Sequence, residues 1–153
     1  MNSTLNRIRF RVAPLDDPVW QGHLFVQPEI DGQLLATLAQ AYQLSKYSHG
    51  AHYAGLRLPA LEPASEHFRG DPTSAAYRYG PRVQVLGCTC GVPSCWPFVC
   101  RIEVSRQVIL WHDFANPHRG PGAAAGFWPF EGFGPFRFRP QQYEQALRHL
   151  AAA

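Results

Sequence analysis

Lysine is nearly missing from this chain: Lys46 is the one lysine among fourteen basic residues, and the rest are arginine. No run of basic residues occurs, and a net charge of +3 is too small to indicate nucleic acid without a local cluster. The arginine excess therefore reads as composition, in a chain also rich in Ala, Gly and Pro, and not as a phosphate-reading surface. No apolar stretch approaches the ~20 residues needed to cross a bilayer. The opening MNSTLNRIRFRV lacks the apolar middle of a secretory signal, so the expected compartment is the cytoplasm. Disulfides do not persist there, which leaves clustered cysteines as metal ligands, redox groups or buried thiols. Catalytic signatures are missing too: there is no G-x-S-x-G, no H-E-x-x-H, no phosphate-binding Gly-rich loop and no dinucleotide fingerprint. The eleven carboxylates are scattered and suggest no acid–base pair, so enzymatic activity is not the expectation.

What the chain has in quantity is rings. Aromatic residues make up 13% of the sequence and concentrate towards its C-terminal half, which calls for a large aromatic core or an adhesive surface. At 153 residues the expectation is a single domain, 1–153. Ile8, Phe10 and Val12 alternate with Arg7, Arg9 and Arg11, the period of a strand with one wet face. His23–Pro28 reads as a second strand, antiparallel to the first. Gln33–Ser45 reads as a helix capped by Asp31, with Leu34, Leu35, Leu38, Ala39 and Tyr42 on its apolar stripe. Ser65–Pro81 reads as a polar surface connection. Two alternating runs, Phe98–Val104 and Val108–Asp113, predict a hairpin. FWPFEGFGPFRF (Phe127–Phe138) predicts rings laid across the sheet and then a short strand. Pro140 suits the first position of a closing helix that buries Tyr143, Ala146, Leu147 and Leu150. The fold class is α+β: a mainly antiparallel sheet of about five strands with two helices on one face.

The most specific chemistry lies in GCTCGVPSCWPFVC, which holds all four cysteines. Cys88-x-Cys90-x4-Cys95 places three soft ligands on a bend made by Gly91 and Pro93, and zinc wants four in a tetrahedron. His112 is the candidate fourth ligand if the hairpin returns it to that end of the sheet, with Cys100 and His118 as rivals. Two other readings stay open: a redox dithiol, which no helix start supports, and plain thiols in a partly buried turn, which suits Cys100 best. His49 and His52 are three apart in a loop and form a weak second metal pair.

Three segments, LGCTCGVPSCWPF, VILWHDFANPHR and FGPFRFRPQQYEQAL, resemble a family of small uncharacterised bacterial proteins. These share a Cys-x-Cys-Gly…Cys-Trp-Pro segment, a Trp-x-x-Phe…Pro-His-Arg segment and a C-terminal Gly-Pro-Phe-x-Phe…Tyr segment. The likeness runs from Val83 onward, with an echo at AHYAGL (Ala51–Leu56). It implies a single bacterial domain and supplies no catalytic residue, and Cys100 lies outside its pattern.

The function expected from the residues is a non-enzymatic interaction or structural domain with a cysteine loop able to bind zinc. Trp96, Trp111, Arg119 and Trp128 are the residues expected to meet a protein partner or a second copy of the chain, since rings and arginine dominate interface energetics. One alternative is a zinc- or thiol-dependent enzyme that uses the loop with His112. Another is nucleic-acid binding through Arg7, Arg9, Arg11, Arg137 and Arg139, with Phe rings for stacking. No membrane partner is expected.

Overall fold

The structure, a computed structural model, describes residues 5–47 and 52–153. Strands β1 (Ile8–Pro14) and β2 (Leu24–Ile30) pair antiparallel, with Ile8 opposite Ile30. The alternation read from β1 holds: Ile8 is fully buried while Arg9 and Arg11 are exposed. After β2 the chain turns at Asp31, whose φ is +53°, into β3 (Gln33–Leu34), which pairs back onto β2. The sequence reading of Asp31 as a helix cap is therefore corrected. Asp-Gly is the pair best suited to a tight hairpin turn, and the Asp31 carboxylate accepts from the Asn6 amide at 2.6 Å and the Arg7 backbone N–H at 2.8 Å. Helix α1 (Leu35–Tyr47) begins later than expected because residues 33 and 34 are taken by the strand.

The chain then passes from one sheet to the other within a few residues. β4 (Tyr53–Ala54) joins the later strand Arg82–Cys88, whereas β5 (Leu56–Arg57) joins β2. A one-turn helix, α2 (Ala64–His67), follows. The reading of Ser65–Pro81 as a surface connection is also corrected: His67, Phe68 and Tyr77 are all buried. Phe68 stacks on Trp111 at 6.3 Å and packs against Phe10 at 4.6 Å, so this segment closes the core over β1.

β6 (Arg78–Tyr79), β7 (Arg82–Cys88), β8 (Phe98–Val104), β9 (Ile109–Ala115) and β10 (Phe136–Phe138) come next, and α3 (Pro140–Ala151) closes the fold. One sheet runs β1-β2-β3 with β5 also on β2. The other runs β10-β9-β8-β7-β4 with β6 also on β7. All the strand pairs among the described residues are antiparallel, so the fold is α+β and mainly antiparallel sheet. The two sheets meet where Asn6 bridges Phe138. There the Asn6 backbone N–H donates to the Arg137 carbonyl, and the Gln142 side chain bonds both the N–H and the C=O of Ile8.

The β8–β9 hairpin carries a bulge. Val99 faces Ala115 and Arg101 faces His112, so β9 has one residue more than β8 across that interval. The extra residue is Asp113, held at φ +58°. On the inner side, Phe130 and Phe133 lie against Phe98 and Phe114, with centroids 5.0–5.9 Å apart, in the edge-on geometry aromatic pairs favour. The rings do cross the sheet as the sequence implied. α3 starts at Pro140 and buries Tyr143, Ala146, Leu147 and Leu150, as its stripe required. No helix among the described residues is long and apolar enough to cross a membrane.

Candidate metal centre

Cys88 ends β7, in register with Tyr53 on β4. Directly after it the chain reverses: the Gly91 N–H donates to the Cys88 carbonyl at 3.0 Å, with Gly91 at φ +87°. Pro93–Cys95 form one tight helical turn, closed by the Cys95 N–H on the Val92 carbonyl at 3.2 Å. Both reversals fold the sulfurs towards one another. The Sγ atoms of Cys88, Cys90 and Cys95 all lie within 4.8 Å of one another, with Cys88 half-buried and the other two exposed.

Three side chains fasten this bend, one from β7 itself and two from distant parts of the chain. The Trp20 indole N–H donates to the Cys90 carbonyl at 2.8 Å. The Gln84 amide, on β7 and fully buried, donates to the Pro93 carbonyl at 2.8 Å and to the Leu86 carbonyl at 3.0 Å. His118 places Nε2 2.8 Å from the Ser94 carbonyl, and its ring lies alongside Trp96, 6.1 Å away and nearly parallel. Holding carbonyls from three directions limits the conformations open to the loop, so the cysteines stand together without help from a ligand.

The sulfurs also act on one another. The Cys90 N–H donates to Cys88 Sγ at 3.5 Å. The Val92 N–H, and then the Cys88 thiol, hold the Cys90 pKa below the usual thiol value. Cys95 is pushed up to about 11, first by its hydrogen bonds to the Cys88 and Cys90 sulfurs and then by their charge. The two shifts run in opposite directions, and a cation bound here would deprotonate the coordinating thiols outright. The donor set fits a soft or borderline divalent metal: three sulfurs on a short, pre-bent loop, with a backbone N–H already directed at one of them.

The other residues singled out in the sequence lie elsewhere. His112 stands across from Arg101 with its Nε2 on the Glu103 carboxylate, on the outer side of the hairpin, and it is not a member of the sulfur group. The reason is the length of β9. The strand regains the cysteine end of the sheet only at Ala115, opposite Val99, and the histidine delivered there is His118. Cys100 is wholly buried on β8, where desolvation pushes its thiol well above the usual value. His52 meets Gln40 at 3.3 Å, while His49 lies outside the described residues.

Among the expected contact residues, Trp111 is corrected most clearly. It is completely buried, with its indole N–H on the Tyr143 hydroxyl at 3.0 Å, so it is core. Trp128 is 7% exposed, stacked on Tyr47 at 5.0 Å and covered by the Arg119 guanidinium at 3.7 Å. Trp96 is half-buried between His118 and Trp128. These rings pack on one another and present little surface to a partner. On β1, Arg9 and Arg11 converge on Glu29 at 3.7 and 2.9 Å, which neutralises part of the arginine face.

Trp20 and Gln84 are the residues the sequence does not single out as site-builders. Gly91 at a bend is readable. Trp20 is not, because its partner lies 70 residues away and nothing in its neighbourhood announces the contact. Comparison with protein-family models, with curated proteins and with solved structures gives no match, so the metal reading stands on the chain's own geometry.

Proposed function

We propose that the Cys88–Cys90–Cys95 bend is a structural zinc site, in a cytoplasmic binding or scaffolding protein and not an enzyme. The observation that carries this is three sulfurs within 4.8 Å on a loop already fastened by Trp20, Gln84 and His118. Thiolates select zinc and related soft metals over the hard cations. A structural zinc is closed by a fourth protein ligand, and His118, which bonds the Ser94 carbonyl within the loop but is not itself a member of the sulfur group, is our candidate for that place. With its Nε2–H given to the Ser94 carbonyl, the Nδ1 lone pair is the one left for a metal, and such a second hydrogen bond commonly fixes the tautomer of a ligating histidine. The thiol-enzyme reading lacks support, because no imidazole among the described residues hydrogen-bonds a cysteine sulfur.

The test is metal content and thiol count on the purified full chain. Elemental analysis is expected to give one zinc per chain, with the three bend thiols unreactive until a chelator is added. A metal-free protein that fails to take zinc from a chromophoric chelator overturns the proposal.

A further inference from the structure

Beside the hairpin lies a cleft of about 840 Å³, walled by β9, β10 and the segment from Pro117 to Pro135. It does not include the cysteine bend, so a ligand there needs no metal. We infer that this cleft binds a small planar aromatic anion, with the ring held by Phe127 and its neighbours and the carboxylate or phosphate held by Arg137.

Size comes first: small-molecule clefts run from about 300 to 1,000 Å³ and are lined mainly by apolar side chains with a few fixed polar groups. Charge comes second. Of the three arginines on the cleft, Arg82 is committed to Asp113, donating to both its carbonyl and its carboxylate at 2.8 Å. Arg119 sits over the Trp128 ring, with an N–H on the Ala125 carbonyl and no carboxylate partner among the described residues. Arg137, exposed on β10 opposite Leu110, has no carboxylate partner among them either. An arginine left unpaired beside aromatic walls suits a planar acid, because the guanidinium matches carboxylate and phosphate oxygens in its own plane.

The third observation is Phe127. It is 52% exposed, whereas each of the other nine phenylalanines is buried or half-buried. A chain that hides so many rings leaves this one open at the cleft. The fourth is the backbone at Asp113. A left-handed φ is unfavourable for a residue with a side chain, yet Arg82 and Arg101 clamp Asp113 there from two sides. Bulges and retained strain of this kind gather where a sheet wall is shaped for a ligand.

The experiment uses the full chain as purified and three probes: 2-naphthoate, 1-naphthyl phosphate and neutral 2-naphthamide, titrated by calorimetry with tryptophan fluorescence as a second readout. Both acids are expected to bind, and the amide about tenfold or more weakly, the worth of one charge-assisted contact. Arg137→Gln is expected to bring the acids down to the level of the amide while leaving the amide unchanged. Phe127→Ala is expected to weaken all three. Arg148→Gln, exposed on α3 away from the cleft, should alter none of them. Positions 127 and 137 are both exposed, so neither substitution threatens the fold. If one acid alone binds, the anion source is decided and the inference stands. Absence of binding by all three probes overturns it, as does an amide that binds as tightly as the acids. A dimer in sedimentation that Phe127→Ala dissociates also overturns it, by showing that a second copy fills the cleft. Zinc content is read on the same samples, so loss of metal and loss of ligand remain separate results.

Discussion

Cys95 and Cys100 stand on either side of the Trp96–Pro97 bend, and their surroundings are opposite. Cys95 is exposed beside two other sulfurs, with its carbonyl neighbours bonded to side chains from far along the chain. Cys100 sits on β8 with no exposure, among Trp111, Phe98 and Ile109 in the same buried cluster. The residue type is identical, and what differs is whether water and other sulfurs can reach it. In the bend, geometry is set by hydrogen bonds to backbone carbonyls. On β8 it is set by packing, where a thiol behaves as a small apolar group.

The largest expected effect separates the two directly. Serine at Cys88, Cys90 or Cys95 should take zinc from one per chain to none, an affinity loss beyond the ~10–100-fold typical of replacing a residue that only hydrogen-bonds a metal ligand. Cys100→Ser should leave zinc content unchanged. Equal zinc loss at Cys100 would break the comparison.

The next effect extends the core side of it. His67 is buried with Nε2 on the Gln84 carbonyl. Burial lowers its pKa to about 4 against an ordinary 6.5, and the bond to Gln84 opposes that only in part. Between those values the unfolded chain takes up a proton that the folded chain refuses. Stability is therefore fully present above pH 6.5 and falls as the pH drops towards 4, by up to about 3 kcal/mol. Chemical denaturation at stepped pH measures this, and His67→Gln should flatten the profile in that window.

Cys100→Ser itself should cost ~1–3 kcal/mol, since it places a hydroxyl where no partner waits. The same change at exposed Cys95 in zinc-free protein should cost little, and denaturant midpoints compare the two. The smallest effect tests how the bend is held. Gly91→Ala meets two penalties: a positive φ, and a new Cβ that would lie 2.0 Å from Trp20 Nε1. Gly22→Ala has a similar φ of +84° with nothing within 4 Å. Both should lose ~1–2 kcal/mol from backbone strain. The excess at Gly91, read as a further drop in midpoint, measures the Trp20 latch.

The same division explains what could be read from the sequence. β1, the β8–β9 hairpin and α3 carry regular alternations or stripes, and periodicity is what a linear reading detects. The three bend cysteines were legible because they are close in sequence. His118 replaced His112 at the loop because the Asp113 bulge and the return length of β9 are tertiary facts, and Asp is not the glycine that would announce such a kink. His67, Phe68 and Tyr77 escaped because isolated helical turns between prolines and glycines have no period to display. Trp111 and Trp128 read as contact residues by their type alone, while burial claims both.

The clamp that joins Asn6 to Phe138 and Gln142 to Ile8 spans 134 residues in its longest bond. A ribosome adding roughly 5–20 residues per second thus leaves the free edge of β1 without that cover for something like 7–27 s. Throughout that interval Ile8 and Phe10 are available to any passing strand or chaperone, and misassembly at β1 is held off only once α3 has been made.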